Sequence, residues 1–173
     1  MSLLSQSGLN LQVSVVGSLA SAVGIGNANQ SLNVQDLLQL LGGTGAGQID
    51  TVFEATATLA ASGTVTYDLS AGGLVDPFGA VATFGHVKAV LMISDPSSLA
   101  DLTFGNATAP AQLGFGAAAS TWSVSPGECF YVTKGGGAAV GWVITNTTAD
   151  SLKITNGAGG ASKFQLLILG TSS

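Results

Sequence analysis

The side chains that could do chemistry are few and scattered. His86 is the single histidine and Cys129 the single cysteine. Histidine is the usual general acid or base. Here it lies in the strand-like run from His86 to Ser94 beside Lys88 and Met92, and no Gly-x-Ser-x-Gly elbow occurs in the chain. A Ser-His-Asp triad assembled by folding stays open at this point, because its members need not be close in sequence. Cys129 sits in the apolar run Glu128 to Val132 and reads as a small buried hydrophobe. A reactive thiolate would need a cation or imidazole nearby. A zinc site needs several Cys or His ligands, and one of each falls short. The carboxylates are Asp36, Asp50, Glu54, Asp68, Asp76, Asp95, Asp101, Glu128 and Asp150. Most flank turns, where Asp is expected. They form no Asp-x-Asp-x-Asp calcium loop, and a pair suited to sugar hydrolysis could arise only through folding. No catalytic, cofactor-binding or metal-ligating residue is therefore assigned, and the expectation is a protein that is not an enzyme.

Two further patterns resemble binding motifs. Gly42 to Gly47 (GGTGAG) is loosely like a phosphate loop, but it lacks the Lys-Ser/Thr ending and the strand–loop–helix setting. Gly135 to Gly137 and Gly157 to Gly160 read as turns. Trp122, Trp142, Tyr67 and Tyr131 could stack on sugars if exposed. Each falls in an apolar strand-like run, so core packing is the expectation.

Composition narrows the function classes. Charged residues are 8% of the 173, and there is no Arg. The average soluble protein has about 25%, so Ser, Thr, Asn, Gln and Gly must supply most of the polar surface. Such a surface relies little on charge repulsion to stay monomeric, and part of it is expected to be buried against other subunits. The four lysines, Lys88, Lys134, Lys153 and Lys163, are scattered and the net charge is −5. A groove that tracks nucleic-acid phosphates is not expected. The longest apolar runs fall well short of the about 20 residues that a membrane-spanning helix needs. No positively charged segment opens the chain, so a secretory leader is not expected. A mean hydropathy of +0.51 argues against disorder.

The elements that would position any site are mostly strands. From Thr51 to Ala60 the residues alternate, with Phe53, Ala55, Ala57 and Leu59 on one face. After the turn at Ala61-Ser62-Gly63, Thr64 to Ser70 resumes the alternation through Val65, Tyr67 and Leu69, and the two runs together predict a hairpin. His86 to Ser94 is apolar on nearly both faces, with Val87, Ala89, Leu91 and Ile93 opposite His86, Lys88, Val90 and Met92, as in an inner strand. Shorter runs follow at Asp101 to Phe104, Thr121 to Ser125, Glu128 to Thr133, Ala139 to Thr145, Ser151 to Thr155 and Lys163 to Leu169. Asn156-Gly157 is a strong hairpin signal. This spacing predicts an all-β protein: an antiparallel β-sandwich, jelly-roll-like, over residues 50–173. Residues 1–49 form an N-terminal segment, either an arm or additional strands. Leu9 to Val16 alternates. Asn33 to Leu41 is either extended or the one short helix of the protein, with Asn33 as its cap, Asp36 in its first turn and Gly42 beyond its end.

Several stretches, taken in order, carry a family likeness. They are Gly43 to Phe53, Phe84 to Met92, Val124 to Glu128, Leu152 to Gly159 and Phe164 to Ser172. Over roughly residues 9–173 the chain resembles small bacteriophage virion proteins encoded with the head genes, of the capsid decoration, cement or head-spike type. The resemblance implies a β-sandwich that oligomerises, often as a trimer, and binds the major capsid protein on the outside of an icosahedral shell. It carries over no catalytic residue, cofactor or metal. Related placements at the tail or portal fit the same likeness.

Overall fold

The computed structural model describes residues 9–23, 26–111, 113, 120–134 and 140–173, and for residues 9–39 it describes the backbone alone. Among these residues fourteen strands follow one another: β1 Leu9–Val23, β2 Gly26–Gly42, β3 Gln48–Ile49, β4 Thr51–Leu59, β5 Thr64–Asp68, β6 Leu74–Val75, β7 Val81–Ala82, β8 His86–Ser94, β9 Leu102–Gly105, β10 Thr121–Val124, β11 Cys129–Thr133, β12 Trp142–Val143, β13 Ser151–Asn156 and β14 Ser162–Thr171. There is no helix among the described residues.

Two antiparallel sheets make an all-β sandwich. One runs β11-β8-β14-β4, with β12 also paired to β8; the other runs β10-β9-β13-β5. Their inward rows meet in one core that holds Phe53, Val90, Met92, Phe164 and Ile168 from the first sheet and Leu102, Phe104, Leu152 and Ile154 from the second. The inward rows expected for β4, β5, β13 and β14 are the observed ones. Rings bridge the two layers, with Phe53 5.2 Å from Tyr67 and Phe104 5.1 Å from Phe130.

Neither expected hairpin forms. β4 pairs with β14 and β5 with β13, so the chain crosses between sheets at Ala60–Gly63. It crosses again at Asn156–Ala161, between β13 and β14. The two corners are bonded to each other instead. Ser62 N–H donates to Gly157 O at 2.9 Å, and Asn156 N–H to Gly63 O at 2.8 Å. The buried Asn156 side chain distributes its amide hydrogens among Leu59 O at 3.0 Å, Ala60 O at 2.8 Å and Gly160 O at 2.7 Å. A turn signal reports only where the chain bends; the partner of each strand is chosen by burial in the two layers.

A bulge resets the faces of β8. Leu169 pairs with Ala89 and Gly170 with Val87, leaving Lys88 as the extra residue. Alternation therefore changes phase there. Val87, Val90 and Met92 enter the main core, whereas Ala89 joins a second cluster on the outer face of the same sheet. The expected grouping of Val87 with Ala89, Leu91 and Ile93 is thus corrected. At this crossing Gly170 is tight: a Cβ there would collide with His86 O.

The second cluster buries Leu40 and Ile49 against Ala89 and Leu169. It seats the base of an antiparallel ribbon made by β1 and β2, in register from Leu9↔Leu40 to Val23↔Gly26. Residues 33–41 are therefore strand, and the helix alternative is excluded. Continuous pairing with β1 gives each residue of the run a backbone partner, which outweighs the local cap signals at Asn33, Asp36 and Gly42.

Candidate functional site

His86 opens β8 opposite Val143 and Thr171. Its buried Nδ1 has no hydrogen-bond partner among the described residues. Cys129 lies opposite Ile93 and is exposed, which corrects the expected buried position. Among the described residues no group of three or more His, Cys, Asp or Glu could hold a metal ion.

One carboxylate pair does come together. The Ser70 hydroxyl donates within 3.2 Å of Asp68 Oδ1 and 3.1 Å of Asp150 Oδ2. Asp68 also accepts from the N–H groups of Ser70 and Ala71. Asp150 is 3% exposed and accepts from Thr147 N–H and the Ser151 hydroxyl as well. Burial pushes its pKa up, but the Thr147 N–H and the Ser151 and Ser70 hydroxyls together pull it further down, so the carboxyl stays below the ordinary range. A general acid in sugar hydrolysis needs the opposite displacement. The pair clamps the turns at 68–71 and 147–151, and its acceptor positions are taken by backbone and hydroxyl donors.

The Gly-rich loop is likewise occupied by its own chain. Gly45 N–H donates to Gln48 Oε1 at 2.8 Å, and Lys88 Nζ donates to Gly45 O at 2.6 Å. Lys88 as a residue is 2% exposed. Burial lowers its pKa.

What remains among the described residues is exposed apolar surface, of which three places stand out. The first is a cleft of about 520 Å³ between the edge strands β10 and β11, lined by Leu113, Thr121, Trp122, Cys129, Tyr131 and Val132 among others. Trp122 is 55% exposed there, with its ring 5.7 Å from that of Phe130. Core packing had been expected for Trp122. The correction has a simple cause: β10 and β11 each end their sheet, and among the described residues no further strand closes this flank. Tyr67 and Trp142 do pack against the main core, and Tyr131 packs against the outer cluster.

The second is the β6–β7 hairpin, in which Val75 pairs with Val81. Phe78 at its tip is 69% exposed and Val81 68%. At the tip Asp76 Oδ1 accepts from Phe78 N–H and Ala80 N–H, each at 2.8 Å. The third is a depression of about 220 Å³ on the outer face of the five-stranded sheet, between Leu91, Ile93 and Leu167 with Glu54 and Gln165 at its rim. The signal for all three was low charge. Sequence alternation alone did not separate the inward apolar positions from these outward ones.

No protein-family model, curated protein or solved structure matches the chain.

Proposed function

We propose that this protein is a structural component of a bacteriophage particle: an oligomeric decoration, or cement, protein on the outside of the capsid. Its partners in this reading are the major capsid protein and further copies of itself, as a trimer, and it acts on no substrate. The observation that carries the reading is a nearly uncharged sandwich that presents large apolar side chains to solvent, with Phe78, Val81, Leu99 and Val143 all more than 60% exposed (69%, 68%, 67% and 61%). Phe78 and Val81 lie together on the β6–β7 hairpin, where an exposed apolar patch would serve a protein–protein contact. The strand order supports it. We read β4-β14-β8-β11 facing β5-β13-β9-β10 as two interleaved Greek keys, the jelly-roll arrangement that viral capsid and lectin domains share. Many weak uncharged contacts, repeated by symmetry, hold a protomer on a shell by multivalency. Because few charges take part, binding to shells should change little with salt.

The test is the copy number in purified particles, by quantitative mass spectrometry against the major capsid protein. Tens to hundreds of copies support decoration. Three to a dozen transfer the protein to the tail or portal, and absence from particles refutes the structural reading. A second reading rests on exposed Trp122 in its cleft: a glycan-binding module, since aromatic faces stack on sugars and lectins use the same sandwich. A glycan array without a hit removes it. The two roles are compatible on one particle.

A further inference from the structure

The β1–β2 ribbon is long for what holds it. It runs for 15 residues of β1, paired without interruption. At about 3.3 Å per residue that is roughly 50 Å. A lone two-stranded ribbon in water is marginally stable at best and needs a surface to cover one face. Among the described residues the main contacts of β1 are with β2, and those of β2 with β1 and the short β3, apart from Leu40 at the base, which packs on Ala89 and Leu169.

The register divides the ribbon into two rows. One row sets Leu9, Leu11, Val13 and Val15 across from Leu40, Leu38, Asp36 and Val34. The other sets Asn10, Gln12, Ser14 and Val16 across from Gln39, Leu37, Gln35 and Asn33. The first is apolar but for Asp36, and the second is mainly polar. The base of the ribbon identifies which row packs. Leu40, in the apolar row, is 2% exposed, and its neighbour Leu41, in the other row, is 62% exposed. Asp36 is the single charged residue from 9 to 42, so an oppositely charged partner has little to recognise.

We propose that the apolar row of this ribbon is the surface on which copies of the chain associate with one another. The area reaches the required scale: a ribbon about 50 Å long and about 10 Å wide offers at most roughly 500 Å² per copy, hence at most roughly 1,000 Å² across a pair, the lower bound for a specific interface, with the base at Leu40 already covered by the sandwich. A row whose polar positions are Asp36, Gln30 and Ser21, with Asp36 its one charge, can face its own symmetry mate with little need for a matched charge pattern. The inference deepens the oligomeric reading above and rests on it only for the existence of an oligomer.

The experiment is the mass of the full chain in solution by light scattering and sedimentation, for the wild type, Leu11→Asp, Val15→Asp, and the opposite-row controls Gln12→Asp and Ser14→Asp. Tryptophan fluorescence tests that each sandwich is folded. The expected result is an oligomeric wild type, oligomeric controls, and apolar-row variants whose association weakens roughly 10²–10³-fold, as for a buried unpaired charge, down to the 17.0 kDa monomer. A monomeric wild type, an unchanged mass for Leu11→Asp, or equal loss from both rows overturns the proposal. If an Asp variant fails to fold, Leu11→Cys and Gln12→Cys in a Cys129→Ser background decide. Oxidation should cross-link copies through position 11 and not through 12, and the reverse refutes the assignment. Copy number on particles is read separately, so a capsid role can stand where the ribbon assignment falls.

Discussion

Asn156→Ala tests whether one buried amide joins the two corners of the sandwich. Asn156 is 2% exposed and supplies the side-chain donor to Leu59 O, Ala60 O and Gly160 O. Two amide hydrogens serve these three carbonyls. Each bond lost costs about 1 kcal/mol net, and a buried carbonyl left without a donor costs about 1–3 kcal/mol. Ala60 is exposed and its carbonyl can turn to water; Leu59 and Gly160 are half-buried. The sum is about 2–4 kcal/mol of lost stability. For a chain of this size that lowers Tm by roughly 4–16 °C, at about 2–4 °C per kcal/mol. Urea unfolding followed by tryptophan fluorescence gives the free energy, and a scan gives Tm. Asn156→Asp should be at least as damaging at neutral pH, because a carboxylate offers no donor to three carbonyl oxygens. A loss below 1 kcal/mol for Asn156→Ala would refute the reasoning, since the backbone bonds between the corners would then suffice alone.

Other outcomes follow from single sites. Phe104→Ala should cost about 3–5 kcal/mol in the same urea assay, since Phe104 is fully buried between the sheets and its removal leaves a cavity. Asp150 has a folded pKa below its ordinary value of 3.8. Its contribution is therefore full above 3.8 and is lost as pH falls through the lower folded value; Asp150→Asn should flatten this acid limb of stability against pH. Lys88 has a folded pKa below its ordinary 10.5. The unfolded chain then binds more protons between the two values, so stability rises with pH up to 10.5. Lys88→Met should abolish that rise and leave neutral-pH stability unchanged or higher, because the desolvated ammonium is removed together with its bond to Gly45 O. A retained alkaline rise in Lys88→Met would assign it to another group.

Much of the fold was legible along the chain. Period-two runs marked β4, β5, β13 and β14, and their inward rows are the observed ones. Low charge left apolar side chains to share the surface, and Phe78, Val81, Leu99 and Val143 are exposed. The strand character of residues 33–41 was not legible, because caps for a helix and alternation for a strand coexist there, and only pairing with β1 separates them. The misplacement of Val87 and Ala89 has the same origin. A bulge exists only relative to a partner strand, here at Leu169 and Gly170 of β14.

Of the candidate sites, the sequence determined the inventory: one histidine, one cysteine, scattered acids and few cations. The tertiary structure decided which of them meet. It brought Asp68, Ser70 and Asp150 together as a turn clamp, left Trp122 and Cys129 exposed at the β10–β11 flank, and placed exposed Phe78 at the tip of the β6–β7 hairpin. Alternation records that a side chain leaves one face of a strand. Whether that face meets a second layer, a sheet edge or solvent depends on strand order, and strand order is set by contacts between residues far apart in the chain.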